Sequence, residues 1–261
     1  MTGLANDLAN DLVQRSDAGF VATLTLNRPD KGNALSEAML AALSERIAEV
    51  DGDDHVRVVV LAANGKIFCG GHDLAEMRSH EERGYFEDLF ARCTRMMLAI
   101  RRSRKPFIAR VHGAAVAAGC QLVATCDLAY AADAARFGVN GINLGLFCST
   151  PSVAVSRTIL PKQALDLLFT GRLVDAKRAA ELGLINAAVP AGELDAAIAD
   201  AARLIAEKPP EAIALGKDTF YAQGELDIAE AYALTGERMA ENMGFPATRA
   251  LIDGFIAGRR K

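Results

Sequence analysis

No apolar run in the 261-residue sequence approaches the roughly 20 residues that a membrane-spanning helix needs. Nor is there an excess of one charge. The formal net charge of -4 gives no bulk attraction to nucleic acid or to an anionic membrane. Cysteine is scarce and odd in number. Cys69, Cys93, Cys120, Cys126 and Cys148 form no C-x-x-C pair, which argues against a disulfide framework or structural zinc and for reduced thiols. Met1 to Gln14 carries Asp7 and Asp11, with neither a basic start nor an apolar h-region. No secretory or mitochondrial leader is therefore expected, and the chain reads as cytoplasmic. Apolar material is ample: hydrophobic residues make up 51% and charged residues 24%, enough for one large core.

Familiar catalytic signatures are missing too. Gly113 to Gly119 has neither G-x-G-x-x-G spacing nor a P-loop lysine. His80-Glu81 lacks the second histidine of H-E-x-x-H, and no G-x-S-x-G elbow occurs. His55, His72, His80 and His112 show no metal-ligand spacing. No metal and no separate cofactor are expected.

Strands and helices alternate over most of the chain. Phe20 to Leu26, Val56 to Ala62, Pro106 to Val111 and Asp127 to Ala131 read as strands, the second a buried and parallel one. Asn27 to Asn33 is a turn by its chemistry, and Ser36 opens a helix to about Val50. Further helices are predicted over 82–102, within 113–125 after a loop, and over 151–159, 161–169, 175–182 and 192–207. This alternation is α/β. After Pro209-Pro210 only helical periodicity remains, over 211–222, 225–241 and 246–257. The division expected is a core over 1–208 and a helical region over 209–261.

Two glycine-bearing segments carry the chemistry that is left. Gly70-Gly71-His72-Asp73-Leu74 follows one buried strand, and His112 to Leu122 follows the next and enters a helix of small residues. Adjacent glycines let a ligand approach the main chain. A helix N-terminus offers unpaired N–H groups and the positive end of a dipole. One N–H from each loop can converge on a single oxygen as an oxyanion hole. The alternative is two tight turns whose small residues serve packing.

Together these segments resemble the crotonase superfamily, the enoyl-CoA hydratase/isomerase family. Phe68 to Leu74 is similar to its F-(S/A)-x-G-x-D-(L/I) segment and Lys105 to Gly113 to its K-P-(V/T)-I-A-x-(V/I)-x-G strand. Ala117 to Asp127 is similar to its G-G-G-x-(E/x)-L…C-D helix, and Asn27-Arg28-Pro29 with Asn33-Ala34-Leu35 to its N-R-P…N-A-L start. Leu168 to Gly171 and Ala179 to Leu184 resemble its L-T-G and A-x-x-x-G-L segments. The set G-H-D-L, A-A-G-C-Q-L and N-x-G-L-F-C-S-T-P resembles one subgroup, enoyl-CoA hydratase domain-containing protein 3.

The resemblance implies a spiral of ββα units with C-terminal helices that build homotrimers or homohexamers. It implies acyl-CoA substrates, with coenzyme A entering as part of the substrate. The thioester oxygen would be held by the backbone N–H groups of His72 and Ala118. Arg28, Lys31, Gly71, Asp73, Leu74, Phe255 and Lys261 would reach the CoA moiety. The charge balance argues against a nucleic acid or membrane partner, although some members of the family bind RNA and Arg101 to Lys105 is basic. At a helix end, that run more simply complements the dipole.

The chain departs from the hydratases at both catalytic glutamates. Gln121 stands at the first place and Gly141 at the second. Glutamine orients water but accepts no proton, and acid–base catalysis contributes about 10²–10⁴-fold, so efficient hydration is not expected. Asn140, Cys148 and Ser149 are the candidate substitutes. Cys148 would border the pocket with a thiol pKa lowered by a helix N-terminus. Ser149 would cap a helix with Pro151 at its first position. Asp73 would fix its loop through backbone N–H groups. The alternative activity is acyl-CoA binding with little catalysis.

Overall fold

The computed structural model describes residues 12–258. Strands β1 (Val13–Ala18) and β2 (Val21–Leu26) form an antiparallel hairpin, turned at Gly19 with a φ of 59°. Helix α1 (Glu37–Gly52) follows, and the Ser36 hydroxyl caps it by accepting from Met39 N. Its Met39, Leu40, Leu43, Ile47 and Val50 enter the core from one face.

One unit then repeats. Strand β3 (Val58–Ala63) joins a large sheet, β4 (Ile67–Cys69) joins a small one, and helices α2 (Leu74–Arg78) and α3 (Arg83–Arg102) return the chain. Strands β5 (Phe107–Val111) and β6 (Ala114–Val116) and helix α4 (Ala118–Thr125) repeat the pattern. Strands β7 (Leu128–Ala132) and β8 (Arg136–Gly138), a 3-10 turn over Asn140–Leu144 and helix α5 (Ser149–Val155) repeat it again. This is the expected α/β spiral of ββα units. Helix α6 (Pro161–Thr170), β9 (Val174–Asp175), α7 (Ala176–Leu182), β10 (Ala187–Val189) and α8 (Leu194–Ala206) complete the core. The large sheet runs β1-β2-β3-β5-β7-β10, parallel except for β1, and the small sheet runs β4-β6-β8-β9.

Strand β3 is buried along its whole length, and its alternation splits the interior. Val59 and Leu61 join the main core between the sheets and helices, while Val58 and Val60 pack beneath α8. Where the sheets meet, the main chains touch. A Cβ at Gly113 would strike the Lys66 carbonyl, and one at Gly119 the Cys69 carbonyl.

Helices α9 (Pro210–Gln223), α10 (Ile228–Met243) and α11 (Pro246–Gly258) bury no residue. Helix α9 is nevertheless fastened to the core. Lys217 Nζ lies 2.7 Å from Asp127 Oδ2 and donates to the carbonyls of Ile100 and Lys105, and Tyr221 OH donates to Asp127 Oδ1 at 2.7 Å. The basic run is drawn into the same region. Arg101 lies 4.0 Å over the Tyr221 ring, Arg104 N donates to Asp51, and Lys105 Nζ donates to the Asp53 carbonyl.

Three local expectations are corrected. Ala114–Val116, read as loop, is a strand paired to β4 and β8. Helix α5 starts at Ser149, so Cys148 is its N-cap residue and Pro151 is its third position. Ser149 caps nothing: its exposed hydroxyl lies 3.5 Å from the Phe147 carbonyl.

Candidate active site

The site is built where β4 and β6 end. Gly71 has a φ of 91°, and a Cβ there would lie 2.9 Å from Ala117 Cβ, 3.2 Å from Val116 O and 3.3 Å from Ala118 N. Glycine alone lets the two loops abut. Ala117 has φ 50° and ψ -120°, the angles of the first central position of a type II′ turn, where glycine dominates. The turn is held by Ala117 N donating to the Gly138 carbonyl at 2.8 Å. It swings Ala118 N, at the start of α4, toward Gly71. Among the described residues neither the His72 nor the Ala118 N–H has a backbone acceptor.

The loop is braced from both sides. Leu35 N donates to the Gly71 carbonyl at 2.7 Å. His72 Nδ1 lies 3.2 Å from Leu35 O, and since a carbonyl only accepts, Nδ1 carries the proton. The Nε2 atom is buried with no protein partner among the described residues, and the ring stands edge-on to Phe90. Burial holds the imidazole below its ordinary pKa, outweighing the Leu35 carbonyl, so it is neutral. Asp73 caps α2 by accepting from Ala75 N and Glu76 N and pairs with Arg28 Nη1 at 2.8 Å. Its carboxyl is partly desolvated, yet the Glu76 N–H and the Arg28 guanidinium hold it below the usual carboxylate range. Asp73 is thus a loop brace, as its sequence context suggests.

Gln121 lies on the buried face of α4, and its Oε1 has no protein partner among the described residues. An orphaned buried acceptor of this kind calls for a donor from a ligand or water. Gly141 is more than a missing side chain. A Cβ there would meet the Leu146 carbonyl and lie 2.9 Å from Cys148 Sγ. The surrounding loop is closed by Leu146 N donating to Gly141 O and by Gly141 N donating to Cys148 Sγ at 3.3 Å.

Cys148 differs from its expectation. It is buried, and desolvation pushes its thiol above the ordinary range despite the Gly141 N–H. The helix N-terminus beside it does not activate it. Asn140 opens the 3-10 turn and Ser149 faces solvent. Leu74 and Lys31 are exposed near the loop, and Phe255 is exposed on α11. Lys261 lies outside the described residues. No three His, Cys, Asp or Glu side chains are placed to share a metal among the described residues.

Sequence comparison matches residues 16–248 to the enoyl-CoA hydratase/isomerase family. The chain belongs to that family. It is similar to enoyl-CoA hydratase domain-containing protein 3, mitochondrial, of Rattus norvegicus, with 40% identity covering 92% of this chain and 80% of that protein. The crystal structure of the human domain-containing protein 3 superposes with a TM-score of 0.92 at 38% identity, covering 95% of this chain and 98% of that one. An enoyl-CoA hydratase of Mycobacterium smegmatis superposes with a TM-score of 0.93 at 54% identity, covering 95% and 96%. The crotonase-like fold is therefore shared across the family. One expectation falls here. The rat, human and mouse relatives are named mitochondrial, which contradicts the cytoplasmic reading. That reading rested on the composition of Met1 to Gln14 and on the unpaired cysteines.

What sequence reasoning missed is how position 141 is filled. Only the positions of Leu146 and Cys148 reveal it, and no motif encodes them.

Proposed function

We propose that the chain binds an acyl-CoA and holds its thioester oxygen between the N–H groups of His72 and Ala118, stabilising the enolate formed when C2 gives its proton to a water held at Gln121 Oε1. The observation that carries this is the abutment of Gly71 on Ala117 and Ala118, beside two N–H groups with no backbone acceptor among the described residues. Donors preorganised toward an oxygen that gains charge act on the transition state rather than the ground state. Efficient hydration is not the reaction. The Gln121 amide cannot serve as a base, and the space at Gly141 belongs to Leu146 and Cys148. Gln121 Oε1 instead accepts a hydrogen bond from water or substrate at the reacting carbons. Asn140 lies on the same loop and contributes polarity there, while Cys148 and Ser149 take no chemical part.

Arg28, Lys31, Gly71, Asp73, Leu74, Phe255 and Lys261 contact the CoA moiety in this reading. Arg28 keeps guanidinium donors beyond the one given to Asp73. The exposed Ile228, Tyr232, Met239 and Leu251 on α10 and α11 meet other copies in a homotrimer or homohexamer. Acyl-CoA binding with little catalysis is the second reading, favoured by the absence of a carboxylate at either glutamate place.

Deuterium exchange at C2 of butyryl-CoA in D2O separates the two, because exchange requires the enolate. Exchange above background together with slow crotonyl-CoA hydration is expected. His72→Ala keeps most acyl-CoA affinity, whereas Ala118→Pro loses it for want of an N–H. Hydration at about 10²–10³ per second, a rate typical of good enzymes, would refute the proposal.

A further inference from the structure

A cavity of about 820 Å³ lies away from this site. It runs over the opposite face of the large sheet, where Val60 and Ala62 of β3 point toward α8. Helix α8 packs over β3, β5 and β7 and leaves β2 beside it open. The floor is Val21, Thr23, Thr25, Val60 and Ala62, and the wall is Ile198 and Ala202.

Charge along the groove is uneven. Arg57, Arg110 and Arg203 line it against Asp195 and Glu207. Arg110 pairs with Asp195, and Arg203 pairs with Asp200 and Glu207. Arg57 has no carboxylate partner among the described residues. It donates one N–H to the Ala206 carbonyl and lies 4.1 Å over the Phe20 ring, which fixes its guanidinium at the end of the groove. From Arg57 to Ala62 the strand advances about 17 Å, at roughly 3.3 Å per residue. The groove thus has an apolar length with one uncompensated cation at its end. Its volume lies within the range of small-molecule sites, about 300–1,000 Å³.

We propose that this groove binds an amphipathic monoanion, a fatty carboxylate, with its headgroup on Arg57 and its chain along β3 toward Ala62. The complementarity is that of a bidentate guanidinium for a carboxylate, above a surface that favours an extended alkyl chain. The site is independent of the acyl-CoA site and does not require the function proposed for it.

The test is calorimetric titration of the full chain with sodium dodecanoate, below the concentration at which it forms micelles. Saturable binding of one dodecanoate per chain is expected. Dodecanol should bind at least tenfold more weakly, and Arg57→Gln should weaken dodecanoate at least tenfold and abolish its advantage over dodecanol. Thr23→Trp, on the open sheet face where no core packing is lost, should block binding and leave the melting temperature near that of the wild type. Saturating dodecanoyl-CoA should leave dodecanoate binding unchanged. The proposal is overturned by absence of saturable binding, by displacement with dodecanoyl-CoA, or by binding indifferent to both substitutions. It is equally overturned if Arg57→Gln changes the sedimentation of the protein but not the binding, which would assign the groove to a second copy of the chain.

Discussion

Ala117 occupies a backbone conformation suited to glycine, and replacing it should make the protein more stable. At φ 50° and ψ -120° its Cβ is crowded by the backbone. A non-glycine residue in so sparsely populated a region costs about 1–3 kcal/mol. Ala117 is also the N-cap of α4, with no side chain to accept from the first turn. Glycine at an N-cap is better than alanine by roughly 0.5–1 kcal/mol. Against these gains, glycine loses more backbone entropy on folding, about 0.4–1 kcal/mol. The net expectation for Ala117→Gly is a stabilisation of about 2 kcal/mol, within bounds of about 0.5–3.5 kcal/mol. For a chain of this length that corresponds to a rise in Tm of about 2–4 °C per kcal/mol. Urea denaturation should show a higher midpoint with an unchanged slope. Gly71→Ala supplies the complementary perturbation, because its new Cβ would lie 2.9 Å from Ala117 Cβ at a φ of 91°. It should destabilise by more than about 2 kcal/mol, and Ala117→Gly should restore part of that loss, with a coupling of about 0.5–3 kcal/mol. A destabilised Ala117→Gly, or two substitutions that simply add, would refute the strained-turn argument.

Lys217→Met should cost up to about 3 kcal/mol by leaving the partly buried Asp127 without its cation, and Tyr221→Phe less; urea midpoints measure both. Gly141→Glu should fail to create a hydratase and should lower Tm, since its Cβ meets the Leu146 carbonyl and Cys148 Sγ. In the pH window below about 6.5, the unfolded chain takes up a proton on His72 that the folded chain resists. Stability from this residue is therefore complete above that pH and declines as pH falls through the window, and His72→Phe should flatten the slope of a Tm-versus-pH series. Cys148 should resist iodoacetamide at pH 7.5 in the folded protein and react once urea unfolds it, because burial raises its pKa; rapid labelling of the native chain, read by peptide mapping, would contradict this.

The parts of the molecule that could be read in advance are those whose burial is written locally. The β-branched run that becomes β3 and the apolar stripe from Met39 to Val50 each declare their partner surface in consecutive residues. Strands β4, β6 and β8 span three residues each, too few for a period to register. They exist because longer neighbours bring their backbones together. Strand β1 has the sequence VQRSDA, with most side chains exposed, and forms through hairpin pairing rather than an apolar pattern. At the site, the glycines and the Asp73 cap were legible because their residue types imply their geometry. The strained Ala117 was not, since alanine gives no sign of a positive φ. Nor was the suppressed Cys148 thiol, because nearness to a helix start predicts activation while the surrounding burial decides the opposite.

The two main-chain crossings at Gly113 and Gly119 bear on how the protein can diverge. Each admits no β-carbon, because a carbonyl of Lys66 or Cys69 already stands where it would go. Their partners are backbone atoms, so no second substitution elsewhere can make room. In a saturation scan with a growth or abundance readout, these two positions should be intolerant of every replacement. Lys66, opposite Gly113, is exposed and should accept many replacements, whereas Cys69, opposite Gly119, is buried in the core and should accept only small apolar ones. The spacing between the two glycines should likewise resist insertion and deletion, since it sets the distance between the β4 end and the start of α4. A register fixed by main chain on main chain leaves the neighbouring side chains free to vary, and with them the reaction.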